Sequence, residues 1–126
     1  KRGSGHIAGM SSLVGYRGLP RAAAYGASKA ALINFLEGMR FDLIDSGVNV
    51  SVICPGFVKT PLTDKNDFSM PFLITVEQAA EIIYRGLEQR KKHIAFPLKL
   101  AWIFKLLRIM PFSLYNWLIS KTVVRK

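Results

Sequence analysis

YGASKAALINFLEGMRFDLIDSGVNVSVICPG, residues 25–56, is the stretch whose reading decides the fold. Leu32, Phe35, Leu36, Met39 and Leu43 recur at intervals of three and four. That spacing predicts a helix from Tyr25 to about Asp45, with one apolar stripe facing a core or a partner subunit. Ser46-Gly47 is the expected stop, because glycine freely takes the left-handed conformation past a helix end. Val48 to Cys54 alternates Val/Ile with Asn and Ser before becoming wholly apolar, and Pro55-Gly56 closes it, which predicts a strand. Upstream, His6 to Ser11 reads as a short strand that runs into a Gly/Arg/Pro-bearing loop, Gly15 to Arg21. Strand, helix and strand in this order form the parallel crossover unit, so the expected class is α/β.

Downstream comes a loop with Pro61, Asp64, Asp67 and Pro71. Thr75 is then a good helix cap, and Gln78 is placed to close a capping box, so a helix is predicted over Val76 to Lys91. His93 to Phe96 is a short strand closed by Pro97. From Leu98 to Lys126 the chain reads as two short amphipathic helices separated by Pro111. Lys105 and Arg108 form a narrow polar edge while Leu100, Trp102, Ile103, Phe104, Leu106, Leu107 and Ile109 cover the rest, more apolar surface than free solution tolerates. Lys99, Lys105 and Arg108 interrupt that run before it reaches the ~18 uncharged apolar residues of a spanning helix. The expected organisation is therefore a body over residues 1–97 and a basic, apolar helical tail over 98–126.

Half of the 126 residues are hydrophobic and 21% are charged, which excludes a disordered tail. The net charge of +10 is uneven. Residues 1–84 hold eight Lys/Arg against seven Asp/Glu, whereas residues 85–126 hold ten Lys/Arg against Glu88 alone, a net +9. Such a field calls for an anionic partner specific to the tail. Docking of the tail onto the body or a second subunit competes with interfacial membrane binding, for which Trp102, Tyr115 and Trp117 with flanking Lys/Arg are suited. Nucleic acid is not an expected partner, since the basic residues are scattered among aliphatics with no recognition module behind them. The lone Cys54 suits a reducing compartment and the buried end of a strand. No signal peptide is visible in these residues, which leaves targeting open; the expected location is cytoplasmic, peripheral at a membrane. His6 and His93 have no ligand partners at metal-binding spacing, and no metal is expected.

Tyr25 and Lys29 stand four apart at the start of the long helix and so share a face. A phenol with its ordinary pKa of ~10 is a poor proton shuttle at neutral pH, and a nearby ammonium stabilises the phenolate. Ser12 lies at a strand's carboxyl end, where open α/β sheets bind ligands, and its hydroxyl can hold a carbonyl oxygen. Read as isolated residues, these three also fit a helix-surface pair and a turn serine. The loop Pro61 to Ile74, with Leu62, Phe68, Met70, Pro71, Phe72 and Leu73, is apolar enough to hint at an apolar ligand or to pack on the sheet.

Gly5-His6-Ile7 leading to Ser11-Ser12, then Tyr25-Gly26-Ala27-Ser28-Lys29-Ala30-Ala31, then Pro55-Gly56-Phe57-Val58-Lys59-Thr60, closely resembles the short-chain dehydrogenase/reductase family in order and spacing. The resemblance covers the carboxyl-terminal half of that family's domain, from about Gly5 to Phe96. It implies part of a Rossmann-type, doubly wound parallel sheet with an appended amphipathic helical tail. It also implies an NAD(P)-dependent oxidoreductase interconverting an alcohol and a ketone or aldehyde, on an apolar substrate. Tyr25 would be the general acid/base. Lys29 would lower its pKa and hold the nicotinamide ribose, and Ser12 would orient the substrate oxygen. Pro55, Gly56, Val58 and Thr60 would contact the nicotinamide, and the helix carrying Tyr25 would serve a homo-oligomer. The family's glycine-rich turn, its discriminator between NAD and NADP and its catalytic asparagine would lie upstream of Lys1, so the 126 residues alone are expected to be inactive. The alternative is a catalytically silent relative acting as a membrane-binding or oligomerisation module.

Overall fold

The computed structural model describes residues 3–61 and 70–124. Its centre is strand β2, Val48–Pro55, whose run of Val, Ile and Cys is buried on both faces, as a strand inside a parallel sheet must be. Strand β1, Gly5–Met10, lies parallel on one side in the register Gly5↔Val48 to Met10↔Ile53. Strand β3, His93–Phe96, lies parallel on the other, from Val52↔His93 to Pro55↔Phe96, giving the order β1-β2-β3. His6 Nε2 donates to Ser51 Oγ at 2.6 Å, and Ser51 in turn donates to the Lys91 carbonyl at 2.6 Å, so polar side chains also tie the three strands together.

The period of two along β2 sorts its side chains between two cores. Val50, Val52 and Cys54 meet Ile33 and Leu36 of helix α1, Ala23–Asp42, together with Leu100, Ala101 and Phe104 of helix α3, Leu98–Ile109. Ile53 faces the opposite way and joins Ile94, Phe96 and Ala79, the last from helix α2, Val76–Glu88. Full burial of such apolar side chains contributes ~1.5–3 kcal/mol each. α3 thus belongs to the same core as α1, although it begins just past the body's expected limit at residue 97. After α3, Pro111 opens helix α4, Phe112–Ile119, and a widened turn, Ser120–Val124, follows.

The stripe expected on α1 is corrected in one position. Leu32, Leu36, Met39 and Leu43 face the core with Ile33, but Phe35 is 60% exposed on the far side, as is Phe41. Ile33 and Phe35 lie about 160° apart round the helix, and apolar residues occur on nearly every side of it, so spacing alone does not choose between them. α1 also ends at Asp42 rather than near Asp45, its last turns tightening into bonds from Ile44 to Phe41 and from Ser46 to Leu43 before Gly47 turns at φ +79°.

α2 opens on the expected capping box, with Gln78 N donating to Thr75 Oγ1 at 3.1 Å and Thr75 N to Gln78 Oε1 at 2.9 Å. It stops three residues before Lys91. Arg90 takes φ +55°, and the amides of Arg90 and Lys91 donate back to Leu87 and Gly86, the double bond of a Schellman ending. An arginine in the position that glycine ordinarily marks gave no signal in the sequence.

Candidate active site

The carboxyl end of β1 carries Ser11 and Ser12, and the local sequence fixes both. Ser12 caps a 3-10 turn, Leu13–Tyr16, by accepting the Val14 amide at 3.2 Å, and it is only 6% exposed. Accepting that bond leaves its own proton to donate. Ser11 Oγ donates to the Lys29 carbonyl at 2.8 Å while its amide extends the β1–β2 ladder to Ile53 at 2.7 Å, so one residue joins the strand end to α1. The sequence reading did not assign Ser11 this role.

Tyr25 and Lys29 occupy one face of the first turns of α1, and the Lys29 ammonium stands 5.5 Å from the Tyr25 ring centroid. The same ammonium donates to the Met10 carbonyl at 3.3 Å, which anchors it at the end of β1 beside the two serines. Tyr25 is 54% exposed, so water reaches its hydroxyl freely. The 3-10 turn is pressed against this helix at Gly15, where a Cβ would stand 2.9 Å from Ala30 N and from the Lys29 carbonyl carbon. Glycine is required there because the neighbours are backbone atoms that cannot move aside.

Pro55 to Thr60 leaves the sheet beside this cluster, since Met10 and Ile53 are register partners and each segment begins just beyond them. Lys59 N donates to the Ile74 carbonyl at 2.7 Å and Ile74 N to the Phe57 carbonyl at 3.1 Å, pairing Val58 with Ile74 in parallel. Gly56 is closely packed. A Cβ there would stand 2.6 Å from Leu100 Cδ2 and 3.3 Å from Pro97 Cδ, so packing of the β3–α3 corner already demands glycine. Of the apolar loop expected from Pro61 to Ile74, residues 62–69, Leu62 and Phe68 among them, lie outside the described residues.

Behind Ser12, Tyr16 sends its hydroxyl to His93 Nε2. Burial raises the Tyr16 pKa, and burial together with the Lys105 charge lowers that of His93, so a neutral imidazole and a protonated phenol share this hydrogen bond. Burial pushes the Cys54 thiol up to about 11, leaving it uncharged at neutral pH. Arg17 donates to the Leu107 carbonyl at 2.9 Å and to that of Arg108 at 3.3 Å, and it lies 4.3 Å over the Tyr115 ring. Tyr115 OH returns a bond to the Gly18 carbonyl. The loop between Ser12 and Tyr25 is thereby clamped to the tail. A groove runs past Tyr16, His93, Trp102, Lys105 and Arg108 and is not lined by Ser12, Tyr25 or Lys29.

The donor set at the strand ends fits one end of a dinucleotide. An ammonium, the Ser12 hydroxyl with its proton free and a half-exposed phenol are groups that could bond the hydroxyls of a ribose. Among known proteins, the family profile described as short chain dehydrogenase matches residues 1–69. An uncharacterized oxidoreductase of Myxococcus xanthus is 43% identical over 116 residues, covering 92% of this chain and 46% of its own length. An 11-beta-hydroxysteroid dehydrogenase-like 4A of Arabidopsis thaliana is 34% identical over 120 residues, covering 88% and 39%. A short chain dehydrogenase from Burkholderia cenocepacia, solved in complex with NADP, superposes with a TM-score of 0.76 at 27% identity, covering 92% of this chain and 48% of its own. The chain thus spans about half the length of the relatives it matches.

Proposed function

The chain belongs to the short-chain dehydrogenase family, and from that premise we propose that it forms the catalytic segment of an NAD(P)-dependent oxidoreductase that interconverts an apolar alcohol with its ketone or aldehyde. The nicotinamide dinucleotide, when bound, supplies or accepts the hydride at the substrate carbon. Lys29, Thr60 and the backbone of Pro55 to Val58 would hold its nicotinamide end. Ser12 donates its free proton to the substrate oxygen and fixes the carbonyl. In reduction, Tyr25 gives its hydroxyl proton to that oxygen as the carbon is reduced. In oxidation, the phenolate takes the proton back. Lys29 sets a positive charge 5.5 Å from the Tyr25 ring, on the side of the helix from which the proton is exchanged.

What supports this reading is the placement of the Lys29 ammonium, 5.5 Å from the Tyr25 ring and bonded to the end of the strand that bears Ser11 and Ser12. An apolar substrate agrees with the hydroxysteroid dehydrogenase-like relative. The partners follow: a small apolar carbonyl or alcohol compound, a second copy through the outer face of α1 with Phe35 and Phe41, and an anionic membrane surface through residues 98–126. The second reading, a catalytically silent membrane-binding or oligomerisation module, is favoured by the uncovered apolar side of α3. Turnover of a ketosteroid and an aryl ketone with NADPH or NADH, measured on the full natural chain and on its Tyr25→Phe variant, separates the two. The enzymatic reading expects kcat to fall ~10²–10⁴-fold while cofactor binding persists. Undiminished turnover in the variant would refute it.

A further inference from the structure

The face of α3 turned away from the core is the least expected surface of the molecule. Leu98, Trp102, Leu106 and Ile109 fall within about 80° of the helix circumference, and their exposures run from 59% to 77%. Past the Pro111 bend, Phe112 and Trp117 are exposed as well. Buried Leu100, Ala101 and Phe104 occupy the opposite side, so the fold has already used the residues it needs from this helix.

The charges beside the stripe decide what covers it. Lys99 and Lys105 flank it on either side, and Lys105 and Lys121 stand 4.9 and 5.9 Å from the Trp102 and Trp117 ring centroids. Residues 85–126 carry ten cations against Glu88. A second copy on this face would bring two such fields together, and the cores of protein interfaces are depleted of lysine. An anionic lipid surface answers both features, accepting apolar and indole groups at headgroup level and attracting each flanking cation. α3 and α4, of 12 and 8 residues, are ~18 and ~12 Å long, too short to span a bilayer. No helix among the described residues is long and apolar enough to cross a membrane. The surface is also preformed, because Arg17 caps the end of α3 and stacks on Tyr115 of α4.

We propose that the Leu98–Trp102–Leu106–Ile109 stripe, continued by Phe112 and Trp117, is a lipid-docking face that lies in the headgroup layer of an anionic membrane. The proposal rests on the tail's partner named above and assigns it to one side of one helix. It is tested by sedimenting the full natural chain with phosphatidylcholine vesicles that contain or lack phosphatidylserine, at low and high salt. Binding is expected to require phosphatidylserine and to weaken with salt. A blue shift of tryptophan emission should be reduced in both Trp102→Phe and Trp117→Phe. Lys99→Gln with Lys105→Gln should weaken binding about 25-fold, roughly 5-fold for each cation. Leu106→Glu with Ile109→Glu should weaken it at least ~10-fold while leaving the melting temperature unchanged.

Failure to bind anionic vesicles, or binding indifferent to the Leu106→Glu, Ile109→Glu pair, overturns the proposal. So does a lipid-free dimer that this pair dissociates, which would give the stripe to a second copy. A lowered melting temperature in the same pair would give it to another segment of the chain. Tyr25→Phe should lower kcat by the same ~10²–10⁴-fold and leave vesicle binding intact. Lost vesicle binding with retained turnover sinks docking alone, and absent turnover with retained binding sinks the enzymatic reading alone.

Discussion

His93 reports on how tightly the site's supporting layer is closed. Its imidazole is hydrogen-bonded to the Tyr16 hydroxyl, and burial, then Lys105, Arg108 and Arg40, disfavour its cationic form, with Glu37 opposing them. The folded-state pKa therefore lies below the ordinary value of ~6.5. In the window between that folded pKa and ~6.5 the unfolded chain binds more protons than the native one, so stability falls as pH falls through it and is fully present above it. The slope that this one group adds cannot exceed about 1.4 kcal/mol per pH unit. Melting temperatures of the full natural chain between neutral and mildly acidic pH should therefore decline more steeply for the native protein than for His93→Asn, which has no group to protonate. Parallel declines would mean that the imidazole is as basic when folded as when free.

At the scale of elements, the catalytic spacing depends on the contact of the 3-10 turn with α1. Gly15 touches the backbone of Lys29 and Ala30, so Gly15→Ala must separate the strand end that holds Ser12 from the helix that holds Tyr25 and Lys29. Overpacking of this kind costs ~1–3 kcal/mol. The variant should unfold at lower urea, and kcat should fall further than cofactor affinity, because the substrate oxygen is held from both sides of the displaced contact. Equal kcat in the two proteins would show that the turn does not set the spacing. The three strands, the capped start of α2 and the break at Pro111 were legible because each rests on local chemistry: β-branched runs, a Thr/Gln pair and proline. The pairing of Tyr25 with Lys29 was legible from helical spacing. The contacts at Gly15, Ser11–Lys29, Tyr16–His93 and Arg17–Leu107 join residues from fourteen to ninety positions apart by tertiary packing, which no local pattern encodes. The side of α1 that meets the core was equally hidden, since its apolar residues surround the helix.

For the molecule as a whole, the sheet has one finished side and one open side. β3 and the α2–α3 corner are closed over Phe96, which is 2% exposed, whereas Ile7 and Met10 of β1 remain uncovered and β1 pairs with β2 alone among the described residues. An open strand edge is a template for further pairing, and in this family's relatives, about twice as long, there is chain enough to continue the sheet. On the proposed reading the described residues would hold one end of a dinucleotide, and they show no built site for its pyrophosphate. Charge-assisted hydrogen bonds contribute ~1.5–3 kcal/mol each, so loss of two or three of them weakens binding by roughly 10²-fold or more. The 126-residue chain purified by itself should therefore bind NADPH at least that much more weakly than the chain extended at its amino end to the length of its relatives, and should show no turnover. Titration calorimetry measures the first and an NADPH-oxidation assay the second. Tight binding with robust turnover by the 126 residues alone would mean that the strand ends of β1 and β2 complete the site without the rest of the sheet.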